Sequence, residues 1–76
     1  MKPIQTAKFK TFLSHIGLVY KRTKGDHEIW DRPDDSLPRP VTFITNEKDV
    51  PPFHIKTNLK TIGMTTQEFN RIIQAL

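Results

Sequence analysis

The run Leu18-Val19-Tyr20-Lys21-Arg22-Thr23-Lys24-Gly25-Asp26-His27-Glu28-Ile29-Trp30-Asp31 reads as a β-hairpin. Leu18 to Thr23 has the composition of a strand. Lys24-Gly25-Asp26 supplies turn chemistry. Glu28 to Asp31 is a second short strand, and the two form a hairpin with a Gly-containing loop. Strand alternation groups His27 with Ile29 and Glu28 with Trp30. Each pair contains one large apolar residue, so alternation alone leaves open which pair meets the core.

Upstream, Phe9, Phe12, Leu13 and Ile16 fall at i, i+3, i+4 and i+7, one face of a helix from about Thr6 to Ile16. Thr6 is its expected N-cap and Gly17 its stop. Downstream, residues 32–40 are too rich in Pro and Asp for regular structure. Val41 to Thr45 alternates as a third strand, and Asn46 to Pro52 reads as a loop. Ile55, Leu59 and Ile62 recur at helical spacing, and Gly63 follows as a stop. Thr65-Thr66-Gln67-Glu68 is a capping-box pattern. Phe69, Ile72, Ile73 and Leu76 then repeat the helical stripe.

The expected order is α-β-β-β-α, with the last helical region broken near Gly63. A three-stranded antiparallel meander needs its apolar face covered. Helices from both ends of the chain can cover it from one side, with Phe9, Phe12, Ile16, Phe69, Ile72 and Ile73 in the core. The other sheet face is left free to meet a partner. The class is α+β.

Seventy-six residues allow one small domain, spanning 1–76. With no cysteine, disulfides cannot supplement the core. No apolar run approaches the ~20 residues of a membrane span. No apolar run follows Met1-Lys2-Pro3, so no signal peptide is expected, and a cytoplasmic location fits. These features argue against a multi-domain enzyme, a cofactor-binding α/β fold and a secreted disulfide scaffold.

The net charge of +4 is unevenly spread. Residues 1–24 hold six bases and no acid, residues 25–49 three bases and seven acids, and residues 50–76 three bases and one acid. A basic N-terminal third with a second basic cluster suggests a surface for a polyanion, the alternative being ordinary solvated lysines.

The chain has no P-loop, no GxGxxG and no calcium-loop spacing. His15, His27 and His54 show no close ligand spacing, so no metal site and no cofactor are expected. The hairpin turn carries the most chemistry. His27 follows Gly25 and Asp26, with Lys21, Arg22 and Lys24 beside it in sequence. An imidazole can take a proton from a 2′-hydroxyl or protonate a leaving oxygen. Cations stabilise the extra charge of a pentacoordinate phosphate. Read alone, a single histidine without a visible partner favours the plainer reading, in which His27 is simply a polar turn residue.

The ordered set of segments resembles the HicA (YcfA-like) mRNA interferase toxin family over nearly the whole chain. The match runs from Phe12-Leu13-Ser14-His15-Ile16-Gly17 through Tyr20-Lys21-Arg22-Thr23-Lys24-Gly25-Asp26-His27-Glu28-Ile29-Trp30. It resumes at Val41-Thr42-Phe43-Ile44 and Ile55-Lys56-Thr57-Asn58-Leu59-Lys60-Thr61-Ile62-Gly63, and closes with Met64-Thr65-Thr66-Gln67-Glu68-Phe69. The resemblance implies a double-stranded-RNA-binding-domain-like fold, metal-independent cleavage of mRNA and a HicB-type antitoxin as protein partner. It gives His27 the catalytic role and Gly25 the turn role. Asp26 stands where the family has serine. A carboxylate there can orient His27, and it also repels phosphate.

The leading expectation is a HicA-like endoribonuclease with His27 as general acid or base. Lys21, Arg22 and Lys24 would contact RNA phosphates. Lys56 and Lys60, at i and i+4 on one helix face, would add to that surface or form a solvated face. Tyr20 and Trp30 are candidates for base stacking, with core packing the favoured use of Trp30. The alternatives are a non-catalytic RNA-binding module on the same fold, and a protein-interaction domain using the free sheet face or the acidic loop.

Overall fold

The computed structural model describes all residues, 1–76. Its elements are β1 (Ile4–Gln5), α1 (Thr6–His15), β2 (Val19–Lys24), β3 (His27–Asp31), β4 (Val41–Ile44), β5 (Asp49–Val50), α2 (Pro52–Ile62) and α3 (Thr66–Ala75). The main sheet is antiparallel in the order β2-β3-β4, and β1 and β5 form a separate two-stranded ribbon. The α+β class and the three central strands agree with the sequence expectation. The ribbon enlarges the expected α-β-β-β-α order, and β5 lies inside the stretch expected as loop. Strands of two residues are too short to show any periodicity.

The glycine stops behave as expected. Gly17 has φ +91°, and the N–H groups of Gly17 and Leu18 close back on the carbonyls of Ser14 and Leu13. This pattern satisfies the last carbonyls of α1 and turns the chain into β2. Gly63 repeats it after α2, with φ +85° and Met64 N–H on the Leu59 carbonyl. The capping box of α3 forms in both directions between Thr65 and Glu68. Thr6 is different: it is the first residue of α1, and Gln5 occupies the cap position. The Thr6 hydroxyl donates to the Glu47 carbonyl at 2.6 Å and its N–H to that of Lys48 at 2.8 Å. Thr6 thus ties the helix start to the loop before β5, a use that local sequence does not display.

The core lies between one sheet face and the helices. Phe9, Phe12 and Leu13 of α1, Ile55 of α2 and Phe69 of α3 are fully buried. Phe9 meets Phe43 edge-on at 5.5 Å, and Phe12 meets Phe69 edge-on at 4.7 Å. Such pairs add about 0.5–1.5 kcal/mol each beyond their buried area. Ile16 and Ile72 pack at the margin of this cluster rather than within it.

Glu28 and Trp30 are the residues of β3 that face the core. Trp30 belongs to the core cluster and Ile29 does not. The Glu28 carboxylate accepts from Trp30 Nε1 at 3.0 Å and from Thr45 Oγ1 at 2.5 Å, and it pairs with Lys10 Nζ at 2.8 Å. Every polar atom of this buried group has a partner, as burial of a charge demands. Burial pushes the carboxyl pKa up, but the hydrogen bonds from Lys10, Thr45 and Trp30 outweigh it, and the net shift is downward.

The proline- and aspartate-rich stretch is irregular, as expected, but it is anchored. Leu37 is buried in the core cluster. Asp31 accepts from the N–H groups of Arg32 and Leu37, closing the start of the loop. The free edge of β4 is also covered. Asn58 of α2 donates to the Thr42 carbonyl at 3.0 Å and accepts from its N–H at 3.4 Å. This side chain takes the place of a neighbouring strand and so blocks edge-to-edge pairing. No helix is long and apolar enough to cross a membrane.

Candidate functional site

The second face of the sheet carries the candidate site. Lys24 of β2, His27 of β3 and Ile44 of β4 stand in one row across the strands. Arg22, Ile29 and Thr42 form the next row. Directly opposed residues in antiparallel strands sit about 4.5–5.5 Å apart at Cβ. Lys24 and His27 are therefore direct neighbours, with Arg22 diagonal to His27 on the same face. Arg22, Lys24 and His27 are exposed, whereas Ile29 between them is buried. Alternation explains the grouping once Trp30 has turned inward.

The hairpin loop is the two residues Gly25 and Asp26, flanked by the pair Lys24 and His27. Gly25 has φ +62° and Asp26 does not share a positive φ. A positive φ at the first loop position alone marks a type II′ turn, where glycine is favoured. His27 is consequently the first residue of β3, and its side chain is 51% exposed. Its Nδ1 lies 2.9 Å from Asp26 Oδ1. An Nδ1–H donating to that carboxylate leaves Nε2 as the free nitrogen of the ring. The Asp26 backbone is itself fixed, because its carbonyl accepts from Thr45 N–H at 2.7 Å. Thr45 thus holds the turn through its backbone and Glu28 through its side chain.

The cations expected at the site divide into groups. Arg22 and Lys24 share the outer face with His27. Lys21 is the extra residue of a bulge between Tyr20 and Arg22. It donates to the Pro33 carbonyl and pairs with Asp35, both at 3.0 Å, so the acidic loop engages it. Lys56 and Lys60 are exposed on α2. Lys60 lies with Arg39 and Thr61 around an open hollow of about 430 Å³. Trp30 is in the core, whereas Tyr20 is half exposed and meets the Trp30 ring edge-on at 6.2 Å.

Two residues of the site carried no sequence signal strong enough to be assigned. A pocket of about 200 Å³ lies between the outer end of the sheet and the first turns of α2. His27 and Ile44 line it from the sheet, and Phe53, His54 and Thr57 from the helix. Phe53 is 76% exposed, the most exposed large apolar side chain of the chain. Its ring centroid is 6.0 Å from that of His54. For Phe53 a weaker signal did exist. Phe53 falls off the Ile55–Leu59–Ile62 stripe, and a large aromatic off the buried stripe of a helix has to face outward. No group of three His, Asp or Glu side chains converges as a metal-binding cluster.

Compared with known protein families, with curated proteins and with solved structures, the chain finds no match.

Proposed function

We propose that the protein is a HicA-like endoribonuclease toxin that cleaves mRNA in the cytoplasm and is neutralised by a HicB-type antitoxin. The observation that carries this reading is His27: exposed, oriented through Nδ1 by Asp26, and flanked on one sheet face by Lys24 and Arg22. RNA lies across that face. Arg22 and Lys24 take phosphates, and Lys56 and Lys60 extend the basic track along α2. His27 exchanges the proton of the 2′-hydroxyl through Nε2. The cations stabilise charge on the pentacoordinate phosphate. The order helix, three antiparallel strands, helix supports a double-stranded-RNA-binding-domain-like arrangement, with the β1–β5 ribbon and α3 as additions to it. An antitoxin that covers the outer face closes access to His27.

The test is cleavage of a defined single-stranded RNA by purified protein, with EDTA present throughout. Wild type is expected to cleave, and to leave intact an RNA with a 2′-deoxy sugar at each scissile position. His27→Ala is expected to lose about 10²-fold or more of the rate. RNA binding without cleavage by wild type overturns the enzyme reading in favour of a binding module. Equal cleavage by both proteins removes His27 from the mechanism.

A further inference from the structure

His27 and His54 line the same pocket, one from the sheet and one from α2. Cleavage of an RNA strand by its own 2′-hydroxyl needs two proton transfers. The nucleophile must lose a proton and the departing 5′-oxygen must gain one. A single imidazole on one side of the phosphorus serves only one of these well. The pocket of about 200 Å³ is small for a drug-sized ligand. Phe53, exposed beside His54, offers an unstacked base an aromatic face. The groups around each histidine differ. Asp26 holds His27, with Lys24 opposite it in the strand register. On its far side His54 borders a second hollow of about 180 Å³, where Glu47 and Asp49 also stand.

We infer that His54 is the second acid–base residue of the site, donating the proton to the leaving 5′-oxygen while His27 takes that of the 2′-hydroxyl. This rests on the endoribonuclease reading and extends it. His27 takes the base role because its Nδ1–H is committed to Asp26, which leaves the Nε2 lone pair free. In the step, the 2′-oxygen bonds to phosphorus as its proton passes to His27 Nε2. The bond from phosphorus to the 5′-oxygen breaks as His54 delivers its proton there. The products are a 2′,3′-cyclic phosphate and a 5′-hydroxyl end. The two histidines finish with protonation states exchanged, and water resets them.

The experiment compares wild type, His27→Ala and His54→Gln on two RNAs. One is ordinary, and the other has sulfur in place of the scissile 5′-oxygen. A thiolate leaves without a proton donor, so the sulfur substrate bypasses a general acid and not a general base. On ordinary RNA, wild type is expected to give a bell-shaped dependence of kcat/KM on pH. His54→Gln is expected to lower the rate about 10²- to 10⁴-fold and to remove the alkaline limb. On the sulfur substrate His54→Gln is expected to recover most of the lost rate, while His27→Ala does not. Full activity of His54→Gln on ordinary RNA overturns the inference. So does equal loss on both substrates, which means a structural role. Both of those results leave His27 and the endoribonuclease reading standing, whereas a wild type that cleaves neither RNA removes that reading itself.

Discussion

His27 and Glu28 are adjacent in sequence and opposite in every physical respect. Glu28 is buried on the core face of β3, with its carboxylate held by Trp30, Thr45 and Lys10. His27 is exposed on the other face, with one nitrogen held by Asp26 and the other free. A buried group with a partner on each of its oxygens fixes architecture. An exposed group with capacity left over can exchange a proton with a ligand. The two faces of a single strand thus separate a side chain held on both of its oxygens from one left accessible, and Thr45 touches both sides of that division.

The contrast breaks most visibly in stability. Glu28→Ala leaves the Trp30 N–H and the Thr45 hydroxyl without their acceptor in a buried setting. The expected loss is about 2–3 kcal/mol by urea unfolding, with little of it from the ion pair, since Lys10 is partly exposed. His27→Ala is expected to change stability by under ~0.5 kcal/mol. Similar losses in both variants would show that the faces are not divided as described. Acid sharpens the same point. Because the folded Glu28 carboxyl has a lowered pKa, its contribution is fully present above the ordinary carboxylate value of about 4.3. It fades as pH falls through the lower folded value. Unfolding measured from pH 6 down to pH 2 should therefore steepen for wild type relative to Glu28→Gln.

A smaller effect is expected at the turn. Asp26→Asn keeps the shape and removes the charge that orients His27. For an exposed contact worth about 1 kcal/mol, cleavage should fall roughly five- to tenfold with stability unchanged. No change in rate would mean that the Asp26–His27 contact is not used. The smallest effect is expected at the acidic loop. Asp35→Ala frees Lys21 from an exposed pair at a stability cost within about 0–1 kcal/mol. RNA affinity should then rise slightly and its salt dependence steepen, by about 0.7 in the log–log slope for one added phosphate contact. An unaltered salt slope would show that Lys21 does not reach the RNA even when released.

Most of the fold was legible because its signals are local. The stripes of Phe9–Phe12–Leu13 and Phe69–Ile72–Ile73 announce helices wherever they pack. Gly17, Gly25 and Gly63 all take the positive φ that their stop and turn roles require. The capping box is written in four consecutive residues. The β1–β5 ribbon was not legible, because two residues carry no period and the pairing of Ile4 with Val50 joins distant parts of the chain. The use of Lys21 was hidden for a related reason: its partners lie across the bulge in a loop whose path follows from the burial of Leu37.

The sequence by itself determined the class, the central meander and the turn that presents His27. Helical and strand periods and glycine conformations are properties of neighbouring residues. Only the tertiary structure decided which face of β3 turned inward. Ile29 and Trp30 offered comparable apolar surface, so the choice fell to Glu28, which can be buried only where Lys10 and Thr45 reach it. That same choice set His27 outward beside Lys24 and Arg22. Packing of α2 against β4 then brought His54 and Phe53 to the same pocket.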